Sequence, residues 1–568
     1  MRRRLFKSNS GFLLITSYVF IVLIVGILVS LSIRMGTSTT VAIYQAKREQ
    51  ARYLAMAGVE RVKTELHNAF MNYFYGPSGA WTESSFQWFD NLLTGSPPYS
   101  FPVQGSLPTG DYIVELLEVE DCADDVGRIV KLRSTGTSAG VSVSVVTWMW
   151  YGLERSKVFD YIYFINNYGW FWGSGITANG DIRSNGDFSL RYGPKINGDV
   201  YASVDPEIGS SGTISGTSVY DSLSTYYATA PLRARPGNPT YPSEDVNGNG
   251  LLDPGEDTNG NGQLDTYEYS DGYDGTSVHY DKQMPIVMPY LGDLGFYKTV
   301  ATQKRGKIIK GGTTLVDGVY EGNLVLIGTD ADPIEIEGPV VITGDVIIKG
   351  KVKGQGVIYA GRNVHIVGSI KYVDPPKWKK PDTNPSATDD DNLSKDFLGL
   401  AAKGNVIIGD YTDYHWYNSC GRYLRPPFTT PYKVEPSDAG NGYVTSYDAE
   451  GNPWFNGNYT AYDGGKKEDG SPRRYYESSL TNWFIRSISD DYRDIKQIDA
   501  FIYTNHAVAG TVGNLTLNGG IVARDEAIRF LNKLTLNYDI RVKNLRFRDK
   551  FYLPRDLSEP KVWVWEEE

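Results

Sequence analysis

"TGDVIIKGKVKGQGVIYAGRNVHIVGSI", residues Thr343 to Ile370, is built of short apolar pairs separated by glycine turns. Strands this short cannot bury their apolar faces on their own. Stacking them as coils of a parallel β-helix or solenoid would produce one continuous core. The stretch therefore predicts a mainly β protein that includes a solenoid. Because the period of the repeat is irregular, a β-sandwich is the alternative.

Two further segments carry the same pattern. Asn-Gly-Asp occurs at residues 179–181, 185–187 and 197–199, and residues Asp499 to Asn544 again place apolar strands between glycine or asparagine turns. Asparagine and glycine tolerate the backbone conformations that tight turns need. We expect the late segment to close the same solenoid as the early one.

A separate β module is predicted from about Ala80 to Gly152, where "DYIVELLEV" and "VSVSVVTWMWY" alternate as half-buried strands do. Within it, Gly136, Ser138 and Gly140 fit the G-x-S-x-G nucleophile pattern. That nucleophile requires a strand, a tight turn and then a helix. Because a strand follows here, we interpret the motif as a hairpin turn.

The stretch from Gly11 to Ile33 carries no charge and is long enough to cross a hydrocarbon core of about 30 Å as a helix. Several basic residues precede it, whereas only Arg34 follows closely. The positive-inside rule then predicts a single-pass membrane protein with a cytoplasmic amino terminus and an extracytoplasmic head. A cleaved signal peptide is the alternative, but the apolar run is long for one and no A-x-A site follows it.

The helix is expected to continue beyond the membrane, because apolar residues recur there at spacings of four and three. These residues are Ala55, Val59, Val62, Leu66, Phe70 and Tyr73. One face of this helix is therefore apolar, and its second half is expected to pack on the protein's own domain.

A short basic leader, a glycine followed by an aromatic residue and a long helix before a β-rich domain together resemble type IV pilin-like proteins. The resemblance implies an anchor in the bacterial inner membrane through residues 11–33 and prepilin-peptidase cleavage between Gly11 and Phe12. "QARYLAMAGVERVKTEL", Gln50 to Leu66, further resembles the helix of PilX-type minor pilins, where an A-E-A-G-L-E-like stretch recurs. The resemblance covers about the first seventy residues.

One position departs from the pattern of pilins that polymerise. Those proteins carry a glutamate at the fifth mature position, whose carboxylate can neutralise the amino terminus of a neighbouring subunit; Thr16 stands there in this chain. PilX-type and tip-located pseudopilins commonly lack that glutamate too. The resemblance therefore implies a minor pilin or pseudopilin and excludes a major, repeating subunit.

The β-rich part also has a resemblance. Its Asn-Gly-Asp turns early and its "NYDIRV" strand late are similar to an uncharacterised bacterial domain found behind PilX-like helices. This resemblance implies a shape and no activity.

A tandem repeat of twelve residues, "DVNGNGLLDPGEDTNGNGQLDTYE", runs from Asp245 to Glu268. Each half places oxygen donors and a turn-forming glycine in the order of an EF-hand calcium loop. The candidate ligands are Asp245, Asn247, Asn249, Leu251, Asp253 and Glu256 in the first half, and Asp257, Asn259, Asn261, Gln263, Asp265 and Glu268 in the second. Leu251 and Gln263 would each contribute the backbone carbonyl oxygen, and the other residues would contribute side-chain oxygens. Ordinary Asn-Gly turns are the alternative interpretation.

The two loops differ from an EF-hand pair. Asp257 begins the second loop directly after Glu256 ends the first, and Pro254 stands where an exiting helix would start. They are similar to the helix-poor calcium loops of thrombospondin type 3 repeats and more distantly to dockerins, which implies a structural Ca²⁺ site outside the cell. Extracellular modules bind Ca²⁺ with dissociation constants on the order of 10⁻⁴ to 10⁻³ M.

Composition excludes some partners. The net charge of −11 argues against nucleic acid, because an extended basic face is needed to neutralise phosphates. Cys122 and Cys420 could form one disulfide, although their spacing does not determine pairing. The sequence has no CxxC or Cys/His cluster, which argues against zinc.

Catalysis has little support in the sequence. Parallel β-helices often belong to polysaccharide lyases and hydrolases, which need paired carboxylates or a base beside a cation. The acidic residues stand in no recognisable catalytic motif, and the histidines are dispersed at His67, His279, His365, His415 and His506. His365 and His506 are expected to be packing or capping groups.

We therefore predict a non-enzymatic, pilin-like surface protein that serves in pilus assembly, secretion or adhesion. Its expected partners are the inner membrane and pilin or secretion-system subunits, and it could be incorporated in a surface filament. The alternative is a membrane-tethered β-helix protein that binds or cleaves surface polysaccharide.

These predictions divide the chain into segments. They are a basic leader (1–11), a transmembrane and pilin-like helix (12–75), a β module (76–155), a first β-repeat segment (156–235), a calcium-loop insert (236–282), a β-solenoid segment (283–375), an irregular aromatic and polar insert (376–495) and a closing β segment with a tail (496–568). The terminal "KVWVWEEE" alternates like an edge strand.

Overall fold

The computed structural model describes residues 10–74, 93, 101–121, 127–206, 208–219, 279–289, 291, 294–376, 392–421, 444–447, 453–455, 462–474, 476–543, 553–557 and 560–567. Its helices are α1 (Ser10–Phe74), α2 (Gly295–Gln303), α3 (Tyr414–Ser419) and α4 (Asn482–Ile488), with 3₁₀ turns at Lys157–Asp160 and Ile540–Lys543. The chain is mainly β with one long amino-terminal helix, as predicted.

The strands are, in chain order, β1 (Val103–Leu107), β2 (Gly110–Asp121), β3 (Gly127–Ser138), β4 (Val141–Arg155), β5 (Tyr163–Ile165), β6 (Gly169–Trp172), β7 (Ile176–Asn179), β8 (Ile182–Ser184), β9 (Phe188–Arg191), β10 (Lys195–Ile196), β11 (Val200–Ser203), β12 (Ile214–Gly216), β13 (His279–Gln283), β14 (Lys307–Lys310), β15 (Thr313–Asp317), β16 (Val319–Tyr320), β17 (Leu324–Ile327), β18 (Ile334–Ile342), β19 (Val346–Ala360), β20 (Val364–Tyr372), β21 (Phe397–Ala402), β22 (Val406–Ile408), β23 (Val444–Tyr447), β24 (Pro453–Phe455), β25 (Tyr462–Lys466), β26 (Pro472–Arg474), β27 (Gln497–Tyr538), β28 (Arg555–Leu557) and β29 (Lys561–Glu567). They belong to two compact units. The first unit contains residues 1–78, 84–153 and 558–568, and the second contains residues 79–83 and 154–557.

The first unit contains an antiparallel sheet in the order β1–β2–β3–β4–β29. Its β3–β4 hairpin turns through Ala139 and Gly140, whose φ angles are 45° and 82°. Ser138 ends β3, and its hydroxyl donates to the carbonyl of Thr109 at 2.8 Å. The prediction that G-x-S-x-G marks a hairpin turn is confirmed. β29 lies at one edge of this sheet, as the alternation in the tail predicted.

The second half of α1 packs on this sheet. Its buried residues are Ala51, Leu54, Ala55, Val59, Val62, Leu66 and Phe70. The predicted apolar face from Ala55 to Phe70 is therefore confirmed, whereas the side chain of Tyr73 lies outside the described set. This face recurs every three or four residues because an α-helix makes a turn in 3.6 residues.

Two glycines allow α1 to lie directly on β3. A methyl group on Gly58 would come within 2.7 Å of the Ser134 hydroxyl oxygen. A methyl group on Gly136 would collide with the backbone carbonyl of Ala51. At Gly136 the two backbones approach too closely for a Cβ atom, and at Gly58 a Cβ atom would meet side chains of the sheet.

In the second unit, two rows of strands stack in parallel, whereas β14 pairs antiparallel with β15 and β18. One row runs β13–β11–β8–β5 and continues into residues 521–523 of β27. Another row runs β17–β19–β20–β22 and continues into residues 508–510 of β27. Each short strand thus obtains its hydrogen-bond partners from neighbouring turns of the chain, which we call coils. An antiparallel sandwich would not pair its strands in this way.

The irregular period has a structural cause. Neighbouring positions on successive coils are 18 or 19 residues apart at Asn179–Asn197 and Asn518–Asn537. Between Asn363 and Asn405 the separation rises to 42 residues, and between Asn405 and Ala507 to 102. Extra chain is therefore inserted between coils that still stack on one another.

Polar turn residues bridge the coils. Asn197 donates to Asn179 at 2.8 Å, and Asn179 donates to Asn537 at 2.7 Å. Asn537 donates to Asn518 at 2.8 Å, and Asn518 donates to Asp499 at 2.7 Å. Two Asn-Gly-Asp turns, through Asn179 and Asn197, thus belong to a ladder in which each amide satisfies its neighbour, as polar groups away from water require.

Candidate functional site

The first half of α1 is exposed on all sides. From Leu14 to Ala46 every residue is exposed, and the exposed fractions of Leu14, Ile24 and Ile33 are 75%, 44% and 62%. The helix is long and apolar enough to cross a membrane by length and composition. Twenty residues of α-helix span about 30 Å, which is the thickness of a hydrocarbon core.

Beyond the apolar run, α1 satisfies its own polar side chains. The hydroxyls of Thr37, Thr39 and Thr40 donate to the carbonyls of Ile33, Met35 and Gly36 at 3.0, 2.8 and 2.8 Å. Threonine in a helix bonds the preceding turn in this way when no better partner is present. The helix therefore continues without interruption from the apolar run to the half that packs on the sheet.

Charged contacts fasten α1 to the sheet of the first unit. Arg48 Nη2 lies 2.5 Å from Glu567 Oε1, and Arg52 Nε lies 3.7 Å from Glu567 Oε2. Arg61 donates to Tyr112 Oη of β2 at 3.0 Å, and within α1 it donates to Glu65 Oε1 at 2.7 Å. Exposed ion pairs contribute little individually, so the buried apolar face carries most of the attachment.

The predicted cleavage residues lie at the start of α1. Gly11 and Phe12 belong to the helix, and their side chains are not among those described. Thr16, which stands at the position of the glutamate of polymerising pilins, is exposed on the same helix. Cleavage thus stays a prediction.

The predicted calcium ligands, from Asp245 to Glu268, lie outside the described residues, and so does Cys122. The segment that contains the ligands connects β12 to β13 in the second unit. Within the described ranges, no group of three or more His, Cys, Asp or Glu side chains could hold a metal ion. The calcium site stays a prediction for the connecting segment.

The described histidines do not converge on one site. His365 lies buried in β20 and His506 lies buried in β27, whereas His415 is exposed on α3. The backbone N–H of His506 donates to Thr504 Oγ1 at 2.9 Å. His365 lies with Nε2 3.8 Å from Asp345 Oδ1. Both buried histidines occupy packed positions, in agreement with the role expected for them.

Asp345 is a buried carboxylate that the sequence analysis missed. It accepts the backbone N–H of Ser479 at 2.9 Å and the side-chain amide of Asn363 at 3.2 Å, and Arg362 Nε lies at 3.4 Å. Burial alone would raise the pKa of this carboxyl, but Arg362 and His365 hold the pKa well below its usual range. A carboxylate bonded in this way attaches the inserted segment to the coils, and "TGDV" was the signal for it.

Asp525 and Glu526 form a pair of adjacent acidic residues on β27. Burial raises the pKa of Glu526 to about 8 and that of Asp525 to about 6. Tyr163 donates to Glu526 Oε2 at 3.1 Å, and Asn167 donates to Asp525 Oδ2 at 3.2 Å. Burial thus favours the protonated form of Glu526.

Cys420 has an unreactive thiol. It is buried, its thiol donates to the carbonyl of Trp416 at 3.2 Å, and burial raises its pKa to about 12. The thiolate is the reactive form of cysteine, so this thiol has little nucleophilic character at neutral pH.

A group of three aromatic and two polar side chains lies at the surface of the second unit. We call Trp170, Trp172, Ser189, Arg191 and Tyr192 the aromatic strip. The exposed fraction of Trp172 is 42% and that of Tyr192 is 76%. The alternation in "GWFW" and "FSLR" was the signal for it, because every second residue of a strand points outward.

Comparisons with known proteins add little. No protein-family model matches the chain, and no curated protein matches it. Among solved structures, the competence-associated pilin ComZ from Thermus thermophilus is similar over 92% of this chain and 98% of its own length. The sequence identity is 11% and the TM-score is 0.26. A TM-score this low carries no conclusion about this chain.

Proposed function

We propose that this protein is a pilin-like surface protein of the minor pilin or pseudopilin type, anchored in a bacterial inner membrane by α1. The observation that carries the proposal is the division of α1 into two halves. Residues Leu14 to Ala46 expose their side chains on every face, whereas the helix buries an apolar face from Ala51 onward. An exposed apolar run of this length is unfavourable in water and favourable in lipid or among other apolar helices.

The antiparallel sheet supports the same proposal. The close approach of Gly58 and Gly136 seats the helix on β3, so the anchor and the first unit form one continuous piece. A long helix of this kind transmits position from the membrane to the sheet because α-helices are stiff over several turns. The polypeptide that follows is displayed outside the cell.

We further propose that the second unit is a parallel β-helix. Its in-register parallel rows and the asparagine ladder support this assignment. A stacked core of this type gives an extended, rigid surface for contact with partners. Pilin or secretion-system subunits are the partners that this arrangement suits, and the role is pilus assembly, secretion or adhesion.

The proposed role is non-enzymatic. His365 and His506 are buried in packed positions, and Asp345 is bonded by neighbours on several sides. A general base needs access to the proton that it removes. None of these three groups offers that access.

Calcium is proposed as a structural ion of the segment between β12 and β13. Asp245, Asp253 and Glu256 in the first loop, with the corresponding residues of the second, crowd negative charge that Ca²⁺ would neutralise. Millimolar Ca²⁺ outside the cell would then order this segment by mass action.

Amino-terminal and intact-mass analysis of membrane-extracted protein tests the anchor. The full chain is expressed with and without a prepilin peptidase. Peptidase-dependent exposure of Phe12 is the expected result, and Gly11→Leu should prevent it whereas Ser10→Ala should not. A chain that remains whole from Met1 with the peptidase present would instead make residues 11–33 a plain membrane tether.

A further inference from the structure

The aromatic strip lies on the outer face of successive coils. β6, β9 and β12 pair in parallel, with Trp172 opposite Arg191 and Trp170 opposite Ser189. The alternate residues Phe171 and Phe188 point inward and are buried. The strip is therefore mounted on packed strands, which hold its outward residues in fixed positions.

Trp172 is held by three neighbours. Its indole N–H donates to Ser189 Oγ at 3.2 Å, and the guanidinium carbon of Arg191 lies 4.4 Å from the ring centroid. The ring of Trp170 meets it edge-on with a centroid distance of 5.3 Å. A ring that is already ordered loses little conformational entropy on binding, which favours affinity.

Arg191 points to an anionic ligand. Among the described residues it forms no ion pair, and it is exposed while it stacks on Trp172. A guanidinium stacked on an aromatic ring still has the planar set of donors that matches carboxylate or sulfate. Arg191 is thus an exposed positive charge beside aromatic rings, in a chain whose net charge is −11.

Tyr192 adds a second observation. Its φ angle is 63°, and its exposed fraction is 76%. A bulky residue seldom adopts this left-handed conformation, which costs free energy that glycine would avoid. The position therefore presents an exposed aromatic ring at a backbone cost that glycine would avoid.

We propose that the aromatic strip binds an anionic polysaccharide. Trp172 and Tyr192 would stack on the apolar faces of sugar rings, Ser189 would bond a sugar hydroxyl, and Arg191 would pair with a carboxylate or sulfate. The strip spans two neighbouring coils, whose strands β6 and β9 lie about 4.8 Å apart, and this width suits a narrow chain. A stable protein interface buries about 800 Å² on each partner, which is more than a strip this narrow presents. The proposal adds a ligand for the second unit and does not depend on the membrane anchor.

Binding to defined polymers tests the proposal. The full-length protein in detergent micelles is titrated calorimetrically with alginate and chondroitin sulfate oligosaccharides, with dextran, and with poly-L-glutamate. Saturable binding of at least one anionic saccharide is expected, with at least about tenfold weaker binding of the other two polymers. Poly-L-glutamate carries carboxylates without sugar rings, so equal binding of that polymer would overturn the proposal. An absence of saturable binding to both anionic saccharides would overturn it too.

Variants connect binding to the strip. Arg191→Gln should weaken binding at least about tenfold, since charge-assisted hydrogen bonds are the strong ones. Tyr192→Gly should also weaken binding, while the melting temperature stays the same or rises because glycine relieves the backbone. Trp483→Ala removes another exposed ring, 78% exposed on α4, and should leave binding unchanged. Full affinity in both Arg191→Gln and Tyr192→Gly would refute the assignment.

Discussion

Asn179 and Asn537 share a side-chain hydrogen bond of 2.7 Å although 358 positions of sequence separate them. Asn179 ends β7, and Asn537 lies near the end of β27, which pairs in parallel with β7. The same two amides bond Asn197 and Asn518 on either side at 2.8 Å. The junction between early and late coils therefore has the same contacts as the coils within each segment.

Asn537→Ala should destabilise the second unit. The substitution removes the acceptor of the half-buried Asn179 amide and the donor to the buried Asn518 oxygen, and we expect a loss of about 1 to 3 kcal/mol in total. Thermal denaturation followed by circular dichroism measures the change. Asn532→Ala, an exposed position on the same strand, should shift the free energy of unfolding by less than about 0.5 kcal/mol. An equal effect of both changes would contradict a specific role for the ladder.

Gly136→Ala should destabilise the first unit. The added methyl would collide with the Ala51 carbonyl, and overpacking of this kind costs about 1 to 3 kcal/mol. Differential scanning calorimetry should show the unfolding transition of the first unit at a lower temperature, while the transition of the second unit stays at the same temperature. Gly36→Ala is the control, because a methyl there would meet no atom within 4 Å. Unchanged transitions in Gly136→Ala would show that α1 does not sit closely on β3.

Glu526 should make the second unit less stable as pH rises. Burial raises its pKa to about 8, whereas an unperturbed glutamate titrates near pH 4.3. Between these values the folded state binds more protons than the unfolded state, so the free energy of unfolding falls as pH increases from about 5 to about 8. Asp525, whose pKa burial raises to about 6, acts in the same direction at lower pH.

Glu526→Gln should flatten this pH dependence, because glutamine needs no proton to stay neutral. Melting temperatures at several pH values between 5 and 9 measure the effect. Glu337→Gln, at an exposed position of β18, serves as the control and should keep the slope of the unaltered protein. A slope that persists in Glu526→Gln would assign the dependence to other groups.

Calcium should protect the segment between β12 and β13 from proteolysis. Millimolar Ca²⁺ should slow cleavage within residues 236–282, as followed by mass spectrometry of limited digests, because a neutralised and ordered loop is a poorer substrate. The double change Glu256→Gln with Glu268→Gln should abolish protection by removing both bidentate ligands. Mg²⁺ at the same concentration is the control, since its smaller octahedral shell does not suit these loops. Equal protection by Mg²⁺ would show that general charge screening, and not a specific Ca²⁺ site, protects the segment.

Local chemistry made several features predictable. The uncharged run to Ile33 and the spacing from Ala55 to Phe70 specify a helix, and the structure has that helix. The strand that follows Gly140 identified a hairpin turn in place of a catalytic elbow. These features depend on residues close together in sequence, whose periodicity is visible without knowledge of the fold.

The aromatic strip and the Asp345 network were not predictable in the same way. Trp172 and Arg191 lie on neighbouring coils, and Ser479 reaches Asp345 from 134 positions away. The alternation of each strand shows which side chains point outward, but it does not show which strand lies beside it. The insertions between coils removed the regular period from which the neighbours could have been inferred.

The sequence by itself determined a long apolar helix, a mainly β chain and the positions of its tight turns, because each follows from local periodicity and from glycine or asparagine chemistry. Only the tertiary structure decided that β7 pairs with the end of β27 and that Gly136 meets Ala51. Such contacts join segments far apart in the chain. They are selected by the burial of complementary apolar faces and by the satisfaction of backbone hydrogen bonds, which depend on how distant segments pack and not on local sequence.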